Sequence, residues 1–278
     1  MILSRALGAI ALAVASLGAQ AVTQVTAQLG VNPNFFGGTG PVNTFLNHAV
    51  SAELSSGLVT GGGNSSGSAH AYVEIGTIKL DGNSVGSLNS LARGIFRDDF
   101  KLELPGVAAG TQVVLQFDLL VNGSLNVGSS NEAAANWMVR ADVGGGAFDL
   151  GAEGHLYNNS PTLGVHGYTG NPFGTLHGTA TVATGFVMPL YVQLDAWAQT
   201  AYNGHGGALA TSDFDLSHTL RWGGMSVWLN GVQQNQVTLT SGSGFNYLQA
   251  APVPEPGTLA MALCGATVLL GRRRLQAR

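Results

Sequence analysis

The sequence contains a single cysteine, Cys264, which lies in an uncharged apolar segment near the C-terminus. The rest of the chain therefore has neither a disulfide bond nor a cysteine nucleophile. Charged residues are also scarce, at 9% of the chain. No stretch between the two ends shows the 3.6-residue apolar period of a convincing amphipathic helix. Such a chain has to be held together by the packing of apolar side chains.

Glycine, in contrast, is abundant, with 41 residues in 278. High glycine and low charge can indicate disorder, but apolar and β-branched residues are too frequent here for a disordered chain. Glycine at short intervals between apolar runs instead predicts many turns between short strands.

The N-terminus has the pattern of a secretory signal. Arg5 is followed by an apolar run over residues 6–17 and by a small-residue exit at Ala19-Gln20-Ala21. This order predicts a signal peptide over residues 1–21 with cleavage after Ala21. An uncleaved membrane anchor is the alternative, but the apolar run is shorter than a spanning helix requires.

The C-terminal segment, residues 251–278, has three parts. A proline-rich stretch over residues 252–256 favours extended backbone, because proline lacks an amide donor and disfavours helix in the residue before it. Residues 257–271 contain no charge and predict a short membrane helix. The basic end, residues 272–278, contains Arg272, Arg273 and Arg274 and should stay in the cytoplasm. The alternative, a buried core helix, would rarely end in such a cationic cluster.

The segment between these ends is acidic. Residues 22–252 contain six Lys and Arg and 14 Asp and Glu, a net charge of −8. Nucleic acid and anionic membrane surfaces are therefore poor partners for it.

Several runs in this segment alternate with the period of a strand. They cover residues 96–104, 112–121, 190–199 and 213–222, and each places apolar side chains on one face. Asn122-Gly123 and Asn230-Gly231 follow strand runs and predict hairpin turns. We expect an all-β fold over residues 22–250, an antiparallel β-sandwich with jelly-roll or Greek-key connections. Residues 22–68 are expected to be an irregular, glycine-rich start, and residues 133–138 a short helical turn.

With these residues in view, the C-terminus resembles the sorting signal of the PEP-CTERM family. The matching features are Pro254-Glu255-Pro256, the apolar run that follows, and the basic finish. The segment DFDLSHTLRWGGMSVWLNGVQQNQVTLTSGSGFNY, which begins at Asp213, is similar to the last strands of many such proteins.

This resemblance implies a route through the cell envelope of a Gram-negative bacterium. Such proteins are exported, held briefly by the tail, and cut near Pro-Glu-Pro by an exosortase, a membrane-embedded cysteine transpeptidase. They are associated with exopolysaccharide, biofilm and floc formation. The resemblance assigns no catalytic residue to the segment before the tail.

Two patterns in the segment between the signal peptide and the tail suggest catalysis or metal binding. Residues 63–67, GNSSG, match the Gly-x-Ser-x-Gly motif of a hydrolase nucleophile elbow around Ser65. However, a glycine run precedes them and a strand-like segment follows, which predicts a flexible loop instead. Histidines recur in glycine-rich surroundings, and if they converge they form a zinc or copper site; exposed turn histidines are the alternative. These histidines are His155, His166, His177 and His205.

Carboxylates and aromatic residues supply further candidates. Asp213 and Asp215 are weak candidates for calcium ligands, together with the pair Asp98-Asp99 and with Asp195, and solvated strand faces are the alternative. The aromatic residues that could stack on sugar rings are Tyr157, Tyr168, Trp197, Tyr202 and Trp228. Core packing and strand propensity are the alternative explanation for most of them.

The sequence thus predicts an exported, non-enzymatic surface or matrix protein without a cofactor, processed by an exosortase and associated with exopolysaccharide. The main alternative is a carbohydrate-binding sandwich with a defined sugar site, followed by a secreted hydrolase.

Overall fold

The computed structural model describes ten parts of the chain: residues 24–33, 42–48, 51–59, 65–86, 88–128, 133–145, 148–157, 160–162, 173–200 and 210–252. Within them every regular element is a β-strand, and all strand pairs are antiparallel. The predicted all-β, antiparallel fold is therefore confirmed. None of the helices that a membrane crossing would need is found in these residues.

In the described ranges, sixteen strands form two sheets of eight. The first sheet runs in the spatial order β11 (Ser160–Thr162), β10 (Leu150–Tyr157), β9 (Ala133–Val143), β13 (Val187–Thr200), β6 (Leu88–Glu103), β1 (Gln24–Pro33) and β2 (Val42–His48), with β16 (Thr238–Ser241) also paired to β6. The second runs β12 (Gly174–Ala183), β7 (Gln112–Val121), β14 (Thr211–Leu229), β5 (Thr77–Val85), β4 (Ser66–Glu74) and β3 (Ser51–Val59), with β8 (Ser124–Val127) and β15 (Val232–Gln234) also paired to β14.

The two sheets pack face to face around one apolar core, in a β-sandwich-like arrangement. Alternating residues of β7 and β13, among them Phe117 and Leu194, point inward and are fully buried. Their neighbours along each strand face outward, as the sequence period predicts. Gly94 lies where the two sheets approach each other closely, because a Cβ atom there would stand 2.2 Å from Cγ2 of Ile78.

Three local predictions are wrong. The described residues within 22–68 are not irregular, because nearly all of them belong to β1, β2, β3 and the start of β4. Residues 133–138 form the start of strand β9 and not a helical turn, since this strand lies between β10 and β13 and its alternate side chains enter the core. Asn122-Gly123 does not close a hairpin: β7 and β8 follow one another along the same side of β14. The hairpin at Asn230-Gly231 is confirmed, with φ values of 52° and 79°.

Residues 241–251, which we call the C-terminal latch, fold back onto the sandwich. Tyr247 is 0% exposed, and its ring meets that of Trp222 edge-on at 5.3 Å. The indole Nε1 of Trp222 donates to the carbonyl oxygen of Tyr247 at 2.7 Å, and the amide of Ala251 donates to the carbonyl oxygen of Trp222 at 2.8 Å. Ala251 therefore belongs to the folded body rather than to the tail.

The latch supplies the partners of a buried carboxylate. Asp98 points inward from β6 and is 1% exposed. Its oxygens accept from the hydroxyl of Tyr247 at 2.7 Å and from the hydroxyl and amide of Ser243 at 2.5 and 3.1 Å. The amide of Asp99 donates at 2.9 Å. Burial and the charge of Asp98 raise the pKa of Tyr247, so its phenol remains protonated and donates.

Candidate functional site: a polar groove on the second sheet

An open groove of about 530 Å³ lies on the solvent face of the second sheet. Its floor is formed by three adjacent strands, β12, β7 and β14, and the latch residue Leu248 lines one side. Such a volume falls within the usual range of small-molecule sites.

The strand register aligns the outward side chains in rows across the groove. In one row, His177 of β12, Asp118 of β7 and Gly224 of β14 are paired. In the next, Thr179 is paired with Gln116, and Gln116 with Ser226. Because these residues occupy alternate positions of their strands, all of their side chains lie on the same face.

Glycines and a bulge open the groove above Asp118. The register between β7 and β14 shifts between Trp222 and Gly224, and Gly224 has a φ of +107°. A Cβ atom on Gly223 would lie 2.8 Å from Cβ of Asp118 and 2.7 Å from Leu120. A larger residue at position 223 would therefore overlap Asp118 and Leu120 on the floor of the groove.

The polar groups of the groove are accessible. Nδ1 of His177 lies 2.7 Å from Oδ1 of Asp118, and their side chains are 74% and 43% exposed. Ser226 accepts a hydrogen bond from Nε1 of Trp228 at 3.0 Å, which fixes the indole beside the groove. A carboxylate, an amide, two hydroxyls and an imidazole thus lie together on the floor of the groove.

Ser65 has no hydrolase geometry. It directly precedes strand β4, whereas the elbow requires a helix after the nucleophile. The strand pairs with β3 and β5 over its whole length.

Of the histidines predicted as metal ligands, the two that the structure describes do not come together. His155 is on β10 of the first sheet, where its Nδ1 lies 2.6 Å from Oδ1 of Asn136, whereas His177 is on the outer face of the second sheet. His166 and His205 lie outside the described residues. In the ranges that the structure describes, no three or more His, Cys, Asp or Glu side chains are arranged to hold a metal ion.

The predicted calcium ligands have other partners. Asp213 accepts from the side-chain amide of Asn126 at 2.7 Å, and Asp215 accepts from the amide and hydroxyl of Ser217 at 2.9 and 2.5 Å. Neighbouring Asp81 is instead 2.8 Å from Nδ1 of His70.

The remaining candidate carboxylates are Asp195 and the pair Asp98-Asp99. Asp195 lies on the outer face of the first sheet yet is 1% exposed, because Arg93 covers it with an ion pair of 2.5 Å. This hydrogen bond, although opposed by burial, raises the pKa of Arg93. Burial, aided by the charge of Asp98, raises the pKa of Asp99.

The predicted aromatic residues are divided between the two sheets. Trp228 stands beside the groove, and Trp197 is on the outer face of the first sheet, edge-on to His155 at 6.4 Å. Nothing is described for the side chains of Tyr157, Tyr168 and Tyr202. The signal-peptide and tail residues also lie outside the described ranges: Ala19, Ala21, Pro254, Glu255, Pro256, Arg272, Arg273 and Arg274.

Sequence reasoning missed Asp118, Gln116, Thr179 and Ser226. The alternation along β7 predicts that Gln116 and Asp118 face outward. It does not predict which strands lie beside β7, so it could not identify the residues that share a site with them. The pairing of β7 with both β12 and β14 brings these residues to one site.

The class that the fold defines is an all-β, sandwich-like protein with a polar groove on one outer face. No family model matches the chain, and a comparison with curated proteins finds no significant match. The resemblance of the tail to PEP-CTERM sorting signals therefore stays a prediction.

Proposed function

We propose that this protein is an exported, non-enzymatic component of the cell surface or extracellular matrix, sorted and processed by an exosortase. The order of features at its C-terminus carries the proposal: Pro254-Glu255-Pro256, an uncharged apolar run, and an arginine cluster. In this proposal the tail anchors the protein transiently, and the released body associates with exopolysaccharide in a biofilm or floc. No cofactor is required.

The physical properties of the tail support this route. A protease needs extended substrate backbone, which the prolines favour next to the bilayer. The apolar run holds the cleavage region at a fixed depth, and the arginines oppose full translocation.

Replacement of Arg272, Arg273 and Arg274 by serine tests the route. We expect the uncut protein to reach the periplasm or medium, whereas Arg278→Ser, the matched control, leaves processing intact. Mass spectrometry of the exported product measures whether the tail is present. Normal removal of the tail from the triple variant contradicts the proposed role of the arginines.

A second function, carbohydrate binding at a defined site, is favoured by the groove on the second sheet. Its hydrogen-bonding side chains stand beside a tryptophan, and sugars combine hydroxyl groups with flat apolar faces. A pull-down with polysaccharides and a glycan array distinguish the two: a defined site selects particular glycans, and a general matrix component does not.

For the fold, we propose jelly-roll connections. β6 pairs with β13 in the first sheet, and their chain neighbours β7 and β12 pair in the second. A two-stranded ribbon that crosses between sheets in this manner is the repeating unit of a jelly roll. An experimental structure of the released body would test the connections.

A further inference from the structure

The polar groove continues along the strands into an apolar end. Beyond the rows of Asp118 and Gln116, a third row pairs Trp228 with Val114, which is 36% exposed. Val114 pairs in turn with the exposed Thr181. Successive outward rows are about 6.8 Å apart, so the three rows span about 14 Å.

These rows differ in chemistry in a way that suits a sugar chain. Asp118 and His177 offer a charged acceptor and an imidazole, which can bind vicinal hydroxyls. Gln116 and Thr179 add an amide and a hydroxyl one row further on. Trp228, held by Ser226, supplies a ring against which the apolar face of a sugar can pack.

The charges disfavour an acidic ligand. The groove lining contains the carboxylate of Asp118 and neither lysine nor arginine. Arg221 lies one row beyond Asp118, opposite Leu120, and does not line the groove. The net charge of −8 over residues 22–252 adds a repulsive field for a polyanion.

We infer that the groove binds an uncharged polysaccharide along the strand direction, with hydroxyls on Asp118 and Gln116 and a sugar ring on Trp228. A span of about 14 Å accommodates a short stretch of chain. The inference rests on the second proposed function, carbohydrate binding, and names its ligand class and site.

The test is calorimetric titration of the full-length protein, purified in detergent, with oligosaccharides of matched length. The probes are neutral glucan, mannan, galactan and N-acetylglucosamine oligomers, and oligogalacturonate as the anionic counterpart. Asp118→Asn and Trp228→Ala change the groove, and Trp228→Phe keeps an aromatic ring. Asp213→Asn on the same sheet and Trp197→Ala on the opposite sheet are matched controls.

We expect at least one neutral oligomer to bind with little dependence on salt. Asp118→Asn and Trp228→Ala should each weaken this binding about tenfold or more, and Trp228→Phe should recover part of the loss. The controls should bind as the parent protein does, and melting curves verify that each variant is folded.

Three results overturn the inference, and they differ in what they leave standing. Salt-sensitive binding of oligogalacturonate keeps carbohydrate binding but refutes the ligand class. Neutral binding that is lost in Trp197→Ala and not in the groove variants refutes the site. Binding of none of the probes refutes both the inference and the second function, while the tail-processing experiment decides the first function separately.

Discussion

Replacing Tyr247 by phenylalanine removes one hydroxyl group from the buried site where the C-terminal latch meets β6. The hydroxyl donates to Oδ2 of Asp98 at 2.7 Å, and neither residue is more than 1% exposed. Water cannot easily replace the lost donor at this buried site, so the substitution should remove the full contribution of a hydrogen bond to a charged group. We expect the free energy of unfolding to fall by about 1.5–3 kcal/mol.

The magnitude is bounded by the other donors to Asp98. The hydroxyl and amide of Ser243 and the amide of Asp99 remain in Tyr247→Phe, so the carboxylate is not left unpaired. Asp98→Asn is a harsher change, because its amide group must face donors and leaves at least one unsatisfied; we expect a loss of about 2–4 kcal/mol. Combining both substitutions should cost less than the sum, since they remove the same contact.

Guanidinium unfolding followed by circular dichroism measures these differences, and about 1.5–3 kcal/mol corresponds to a melting temperature lower by about 3–12 °C. Asp99→Asn is the matched control. Because its folded pKa is raised, the ionised carboxylate of Asp99 is slightly unfavourable in the native state, and its removal should be neutral or mildly stabilising. A change below about 0.5 kcal/mol for Tyr247→Phe would refute the role assigned to the latch.

Three further outcomes are expected. Gly94→Ala should lower the free energy of unfolding by about 1–3 kcal/mol, because the new methyl group overlaps Ile78; an unchanged melting temperature would show that the sheets can separate there. His70 has a raised pKa: burial lowers it, but the hydrogen bonds and charges of two adjacent carboxylates outweigh burial. Its stabilising contribution is therefore complete below pH 6.5 and is lost as the pH rises through the folded pKa, and His70→Gln should flatten this part of the stability profile measured between pH 5 and 9. Excess chelator should leave the melting temperature unchanged, since Asp213 and Asp215 have protein donors. A clear decrease would instead support calcium binding.

Particular strands show what can be read from a sequence. β7 begins and ends at the residues that its alternation predicts, and β13 and β14 follow the predicted periods closely. The start of β9 was misassigned because its alanines are compatible with a helical turn, and its strand state is set by pairing with β10 and β13. Tertiary pairing overrides such weak local preference.

The two Asn-Gly dipeptides also show the difference between what local sequence determines and what strand pairing determines. Asn230 and Gly231 both adopt positive φ, so their chemistry is sufficient to close the turn. Asn122-Gly123 is the same dipeptide, but it does not join two strands that pair with each other. The strands on either side of it, β7 and β8, both pair with β14.

The burial of carboxylates also depended on distant residues. Asp98 shares the inward face of β6 with Phe96 and Phe100, as the period predicts, but Asp99 and the latch residues Ser243 and Tyr247 donate to it. Asp195 is on the outward face, as predicted, and is nevertheless buried beneath Arg93. The strand period thus predicts the inward position of Asp98 but not its donors, whereas the burial of Asp195 depends on a neighbour across the sheet.

By itself, the sequence determined the all-β class, the inward faces of the principal strands and the hairpin at Asn230-Gly231, because side-chain period and turn chemistry are local properties of the chain. The signal peptide and the sorting tail remain predictions from the same kind of local pattern. Only the tertiary structure decided which strands are neighbours, and therefore which polar residues share the groove and which donors surround Asp98. Strand pairing joins residues far apart along the chain, and a periodic pattern specifies a face without specifying what lies beside it.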